Sequence, residues 1–291
     1  MRIAECWQDY ELLDCSGGER LERWGEVVLR RPDPQVVWQT PRDAALWNSV
    51  HAVYHRSEKG GGAWETHKKL PEKWQIAYKG LQFQIKCMGF KHTGLFPEQA
   101  VNWDLLQSVI EAAKRPVRVL NLFAYTGGAT VVCLAAGAQV THVDAAKGMV
   151  AWAKENALLN HLPQENMRWI VEDCLKFVQR EQRRGKTYDI ILMDPPSYGR
   201  GPGGEVWKLE DEIHGLIREC AALLSEDALL FLVNAYTTGL SPSVMAYMLD
   251  AEIRAKRGGT LACDEIGLPV TASSAVLPCG SSAFWAREEK R

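Results

Sequence analysis

No CxxC pair occurs among the eight cysteines of this 291-residue chain. A zinc ribbon or a dithiol redox motif is therefore absent. The closest cysteines, Cys6 with Cys15 and Cys263 with Cys279, are too scattered for a disulfide scaffold. Buried, reduced thiols are the expectation. The seven histidines include no HExxH or comparable cluster, so no metal site is expected. Ser197 lacks the G-x-S-x-G setting of a hydrolase nucleophile. Nowhere is there an apolar run of membrane-spanning length, and Met1 to Tyr10, which carries Glu5 and Asp9, has no apolar h-region. Neither a membrane span nor a secretion signal is expected, which points to a cytoplasmic protein. Neither sign of charge dominates, with 34 Lys plus Arg against 36 Asp plus Glu and a net charge of -2. Any polyanion must then be met by a local basic face, because there is no bulk electrostatic pull. At 46% apolar residues the chain is an ordinary globular protein, long enough for one large domain or two smaller ones.

Two grammars divide the chain near residue 92. Residues 1–91 read as a small β-rich domain of short apolar segments, such as Glu26 to Leu29, Val36 to Trp38 and Leu81 to Ile85, broken by Gly and Pro clusters. Leu81, Phe83 and Ile85 alternate with polar residues, the period of a strand with one face buried. Trp7, Trp24, Trp38, Trp47, Trp64 and Trp74 fall here, as core rings of a small domain or as platforms for stacking bases. Gly60 to Gly62 marks a turn.

Residues 92–291 alternate apolar runs with helical stretches, the signature of a parallel sheet with crossover helices. Strands are expected at Val117 to Leu122, Val140 to Val143, Arg168 to Val171, Tyr188 to Met193 and Leu229 to Val233. Helices are expected at Gly128 to Ala136, Ala146 to Asn160, Leu175 to Arg184 and Leu209 to Leu224, with Gly137 and Gly185 as stops. Another helix starts at Ser241 with Pro242 in its first turn. Leu261 to Ile266 and Ala283 to Trp285 can pair antiparallel at a sheet edge. The fold class is thus α/β, Rossmann-like and mostly parallel with an antiparallel edge.

Ligands of an open parallel sheet bind outside the carboxyl ends of its strands, so those ends carry the functional question. After the first strand comes Phe123-Ala124-Tyr125-Thr126-Gly127-Gly128, whose paired glycines permit a tight turn and close backbone approach. It lacks the G-x-G-x-x-G of a dinucleotide site. The second strand delivers Asp144, able to accept from both hydroxyls of a ribose or to cap the helix that follows. The third delivers Asp173-Cys174, a carboxylate placed for an adenine amino group and the next backbone N–H for a ring nitrogen. Asp173 has the same capping alternative. The fourth delivers Asp194-Pro195-Pro196-Ser197-Tyr198, where two prolines remove N–H donors and leave carbonyls and a carboxylate to grasp an N–H, with Tyr198 to stack a ring. Gly199 to Gly204 follows as a stretch able to close over the site.

These motifs together resemble the class I S-adenosylmethionine-dependent methyltransferases, and within them the large-subunit ribosomal RNA methyltransferases acting on cytosine C5 and their relatives. The resemblance implies that Phe123, Ala124, Tyr125, Thr126 and Gly127 form the loop under the methionine part, that Asp144 is the ribose acid and Asp173 with Cys174 the adenine site, and that Asp194, Pro195 and Tyr198 are catalytic. The upstream His92-Thr93-Gly94-Leu95-Phe96-Pro97-Glu98-Gln99 is similar to the element that folds over the cofactor, which assigns Thr93, Phe96 and Gln99 to it. S-adenosylmethionine is the implied cofactor and ribosomal RNA the implied partner.

One departure bears on mechanism. Methylating cytosine C5 needs a cysteine thiolate to add to C6. Such enzymes carry it after the fifth strand, here Val233 to Thr238, or after the paired prolines, here Ser197, and neither place holds cysteine. Transfer to a base nitrogen is the reading that remains, needing an aligned lone pair and good orientation. Arg180, Arg183, Arg184, Lys186, Arg200 and Lys208 are the local cations for RNA, diluted by Glu181, Glu205, Glu210 and Asp211. A protein or small-molecule acceptor, a NAD-dependent oxidoreductase and a non-catalytic RNA-binding factor are the alternatives.

Overall fold

The computed structural model describes residues 1–57, 61–200, 206–237 and 239–288. The chain forms two compact units, one of residues 2–101 and 267–279, the other of Met1 and residues 102–266 and 280 onward. The units do not divide at residue 92: residues 92–101 and 267–279 group with the N-terminal segment. Composition changes at 92, but a compact unit is set by contacts, and a return segment more than a hundred residues later leaves no local signal.

The N-terminal unit is β-rich as expected. Its five-stranded sheet runs Tyr10–Ser16, Glu19–Trp24, Val27–Pro32, Ala52–Arg56, Gly62–Thr66, with only the third and fourth paired in parallel. A separate hairpin joins Trp74–Tyr78 to Leu81–Ile85, and there Phe83 and Ile85 are fully buried, as their alternation predicts. Val36 to Trp38 is not a strand. Its carbonyls at Val36 and Trp38 accept from Gly18 and Gly17 at 2.9 and 2.8 Å, which fastens it over a turn without building a ladder. The tryptophans serve the interior of this unit: Trp24 and Trp47 are buried, and the indoles of Trp7, Trp38, Trp64 and Trp74 donate to the carbonyls of Pro97, Cys15, Met88 and Trp24. Indoles held this way satisfy their N–H groups inside the unit.

In the other unit the helix Ala100–Ala112 (α1) leads into strands and helices in strict alternation. These are β1 (Arg118–Leu122), α2 (Gly128–Ala135), β2 (Gln139–Asp144), α3 (Lys147–Leu159), β3 (Met167–Val171), α4 (Cys174–Arg183), β4 (Ile190–Met193), α5 (Leu209–Ala221), β5 (Leu230–Ala235) and α6 (Pro242–Leu249). The long strands β6 (Thr260–Pro269) and β7 (Val276–Ala286) follow, of which residues 260–266 and 280–286 belong to this unit. Their order across the sheet is β6-β7-β5-β4-β1-β2-β3, parallel from β5 to β3, with β7 antiparallel to β5. Both faces are covered, which is why the strands read as continuous apolar runs: along β4, Ile190 and Leu192 join one buried cluster, Ile191 and Met193 the other. Gly137 and Gly185 end α2 and α4 with φ of 90° and 62°. Pro242 opens α6 after Ser241, although the serine side chain makes no capping bond. Strand order reverses between β1 and β4, the switch point at whose carboxyl side a ligand crevice forms.

Candidate functional site

The loop after β1 is built from left-handed backbone. Phe123 (φ 55°), Tyr125 (φ 51°) and Gly127 (φ 83°) alternate with Ala124 and Thr126. Each non-glycine residue in that region costs on the order of 1–3 kcal/mol, so the neighbours must hold the loop. They do. The Phe123 N–H meets the Cys174 Sγ at 3.3 Å, the Ala124 N–H donates to the Val143 carbonyl at 3.1 Å, and the Tyr125 N–H donates to Asp144 Oδ2 at 2.9 Å. From α3 the Asn156 side-chain amide donates to the Thr126 carbonyl at 2.9 Å. Gly127 is required twice, by its φ and because a Cβ there would lie 2.8 Å from the Cβ of Ala153. Beneath the loop the buried chain Asn121, Thr130, His142 runs through two contacts of 2.9 Å, and burial pushes the His142 imidazole down to about 3, so it stays neutral.

Asp144, half-buried at the end of β2, is no helix cap in the ordinary sense. Its Oδ1 accepts from Ala146 at 2.8 Å while Oδ2 pins the glycine loop. Burial raises its carboxyl above the usual range and the two backbone donors offset only part of that. Each carboxylate oxygen has a second lone-pair direction, which suits the side chain to a pair of ribose hydroxyls. Asp173 does cap α4, with Oδ1 accepting from Lys176 at 2.9 Å, and is exposed. The Cys174 thiol is buried and pushed up by burial; it belongs to the packing and to the Phe123 bond.

Beyond β4 the double-proline loop is clamped. The Pro196 carbonyl accepts from the Trp207 indole at 2.6 Å, the Ser197 carbonyl accepts from the Leu209 N–H at 3.1 Å, and the Thr237 hydroxyl donates to Ser197 Oγ at 2.6 Å. Asp194 is half-buried, Pro195 buried, and Tyr198 is 52% exposed at the start of a short hairpin, Tyr198–Arg200 with Val206–Lys208. Trp207 also lies against Phe123, ring centroids 5.6 Å apart. Of the Gly199 to Gly204 stretch, Gly199 is in that hairpin and residues 201–204 lie outside the described residues, as does Gly60 of the earlier turn.

The fold thus gathers Phe123 to Gly127, Asp144, Asp173, Cys174 and Asp194 to Tyr198 at one end of one sheet. Thr93, Phe96 and Gln99 belong to the other unit. There Thr93 is buried with its carbonyl accepting from Lys86, Gln99 is buried, and Phe96 precedes a short 3-10 turn with its ring 5.2 Å from that of His92. Trp207 and Asn156 carried no motif, and Thr237 stood in the loop after the fifth strand without a role assigned to it. Of the expected RNA-facing cations, Arg180 is paired with Glu172 at 2.6 Å and Arg184 with Glu181 at 3.3 Å, which reduces their reach. A cleft of about 720 Å³ near Arg218, Lys256 and Trp285 shares no residue with these loops.

The donor set fits a cationic nucleoside. Among the described residues the Asp144 and Asp173 carboxylates are held by backbone N–H groups rather than by cations, leaving lone pairs for ribose hydroxyls and an adenine amino group and negative charge at the site, where a pyrophosphate needs the reverse.

Comparison with known proteins agrees. A family model described as S-adenosylmethionine-dependent methyltransferase matches residues 26–249. A ribosomal RNA large subunit methyltransferase K/L of Magnetococcus marinus is 32% identical over 179 residues, 60% of this chain and 24% of that protein. The chain thus spans about a quarter of the length of the curated relatives it matches. The crystal structure of a SAM-dependent methyltransferase from Agrobacterium tumefaciens superposes with a TM-score of 0.91 at 39% identity, covering 97% of this chain and 91% of that one. A Streptococcus mutans structure gives 0.75 at 23% identity, covering 97% and 76%, a likeness of fold.

Proposed function

The chain belongs to the S-adenosylmethionine-dependent methyltransferase family, and from that premise we propose that it methylates RNA, at a base nitrogen rather than at cytosine C5. When bound, S-adenosylmethionine supplies an electrophilic methyl group on a positively charged sulfur. The residues assigned to hold it are Phe123 to Gly127 under the methionine part, Asp144 at the ribose and Asp173 with the Cys174 backbone at the adenine. Asp194 and the Pro195 carbonyl accept the N–H of the base, which turns its lone pair toward the methyl group. Tyr198 stacks on the ring and sets its plane. Excess proton on the methylated nitrogen passes to Asp194 or to water.

The observation that carries the nitrogen reading is the chemistry of the double-proline loop. It offers a carboxylate and carbonyl oxygens, and serine stands at 197 where a C5 enzyme of this kind would need a thiolate. Cys174 is no substitute, since its thiol is buried and pushed up by that burial. RNA as acceptor is supported by the relatives, several of which are named as ribosomal RNA methyltransferases. A cytoplasmic location accords with cysteines that are all free thiols. Among the described residues no helix is long and apolar enough to cross a membrane.

The test is methyl transfer from labelled S-adenosylmethionine to ribosomal RNA, followed by digestion to nucleosides and mapping of the label. Label on a ring or exocyclic nitrogen is the expected result. Label on C5 of cytosine overturns the nitrogen reading, and label confined to protein or small molecules overturns the RNA reading.

A further inference from the structure

Two loops must be held in register for methyl transfer: the one that carries the cofactor and the one that grips the acceptor. A line-up of donor and acceptor that slips by about an ångström costs on the order of a hundredfold in rate. Hydrogen bonds within each loop cannot set that register. A group that touches both can.

Trp207 is such a group. Its indole N–H donates to the Pro196 carbonyl at 2.6 Å, and its ring lies 5.6 Å from that of Phe123 at an interplanar angle of 44°. Phe123 is the first left-handed residue of the cofactor loop, and Pro196 is the second proline of the acceptor loop. The indole is itself well anchored. Val206–Lys208 pairs antiparallel with Tyr198–Arg200, which sets Trp207 opposite Gly199, and two residues on Leu209 is fully buried at the start of α5 with its N–H on the Ser197 carbonyl. The ring also packs at the edge of the buried cluster that contains Phe177, Ile191 and Phe231. Because the prolines remove two donors, the loop has few ways to fasten itself by backbone bonds, and side chains must supply the hold.

We infer that Trp207 is a positioning residue, which locks the acceptor loop to the cofactor loop through the Pro196 carbonyl and so holds Pro195 and Asp194 in place as the acceptor-binding pair. This rests on the acceptor-loop role proposed above. Trp207 touches neither cofactor nor acceptor in this account. Its loss therefore slows transfer without weakening cofactor binding.

The experiment uses the full chain with Trp207→Phe, which keeps a ring beside Phe123 and removes the N–H, and Trp207→Leu, which removes both. Cofactor-product affinity is read by calorimetry with S-adenosylhomocysteine, and stability by thermal midpoint. Transfer is read as initial rate from labelled S-adenosylmethionine into a heat-treated whole-cell extract fractionated into RNA, protein and small molecules, across a titration of extract. For Trp207→Phe the saturating rate falls about tenfold while the half-saturating extract and the S-adenosylhomocysteine affinity stay within about twofold. Trp207→Leu falls further. An unchanged rate in Trp207→Phe overturns the inference, and so does a rate loss matched by equal loss of cofactor affinity or by unfolding. If label enters protein instead of RNA, the acceptor reading fails while the effect of Trp207 is still measured. Should the wild-type chain label no fraction, amide exchange in the S-adenosylhomocysteine complex decides. Exchange at the Leu209 amide and through residues 197–199 is expected to quicken about tenfold in Trp207→Phe, and unchanged exchange overturns the inference.

Discussion

Asp189 and Asp144 are the same side chain at opposite ends of one parallel sheet, and the protein uses them in opposite ways. At the amino end of β4, Asp189 is 2% exposed and saturated: it accepts from the Arg118 N–H at 2.8 Å and the Ser225 hydroxyl at 2.7 Å, with Arg115 and Arg118 guanidinium groups at 3.4 and 3.5 Å. Burial pushes its carboxyl up, but the Arg118 N–H, the Ser225 hydroxyl and Arg115 outweigh it and hold it below the ordinary range. At the carboxyl end of β2, burial raises Asp144 and only two backbone donors oppose it. A carboxylate with a full set of partners ties strands together. One that is left short of positive charge has something to offer a cation.

The sharpest way to set the two ends apart is Asp194→Ala, at the carboxyl end of β4. A drop in kcat of roughly 10²- to 10³-fold is expected, the usual cost of one preorganised polar contact to the reacting group, with S-adenosylhomocysteine affinity and thermal midpoint unchanged. Full retained turnover in steady-state kinetics removes Asp194 from the mechanism. Asp189→Ala should show the reverse pattern. Loss of a buried acceptor serving several donors is expected to lower stability by about 3 kcal/mol, read by urea denaturation, while the fraction still folded binds S-adenosylhomocysteine normally. Weakened binding by the folded fraction breaks the division of labour between the ends.

Smaller and more telling is Asp144→Asn, expected to weaken S-adenosylhomocysteine binding about tenfold through loss of a charged acceptor, with a stability loss of about 1 kcal/mol because the amide can accept from only one of the Tyr125 and Ala146 N–H groups. The pH dependence follows from the two shifts. Asp189, held low, contributes stability that is present above its unfolded pKa and is lost as pH falls through its lower folded value. Asp144, held high, contributes in the other direction: the folded state gains as this carboxyl protonates, while the site loses its negative charge. Calorimetry on acidification should therefore find S-adenosylmethionine affinity falling above the ordinary carboxylate range, and Asp144→Asn should flatten that limb. Smallest is Thr237→Val, where loss of the 2.6 Å bond to Ser197 at an exposed position is expected to slow transfer by about threefold. A larger fall in the initial rate would put this contact on a par with Trp207.

Much of this was legible locally. The apolar runs marked the five parallel strands to within a few residues, because strands covered on both faces are mostly apolar. The acids at 144, 173 and 194 stood out because strand ends are where a parallel sheet opens. The clamps were not legible. Trp207 stands eleven residues from the carbonyl it holds and falls in no motif, and Thr237, in the loop after the fifth strand, stands forty from Ser197. The Cys174 thiol meets a backbone N–H 51 residues away, a contact that no local pattern announces. The division near residue 92 followed composition, while the compact units followed contacts that bring 267–279 back to the N-terminal segment.

Local chemistry on its own decided which residues turn, which bury and which end a strand with a carboxylate, since those preferences act over a few bonds. Only the folded chain decided what state each carboxylate is in and which loop holds which. Burial and partner distance, not residue type, separate Asp144 from Asp189, and they exist only once strands distant in sequence lie side by side.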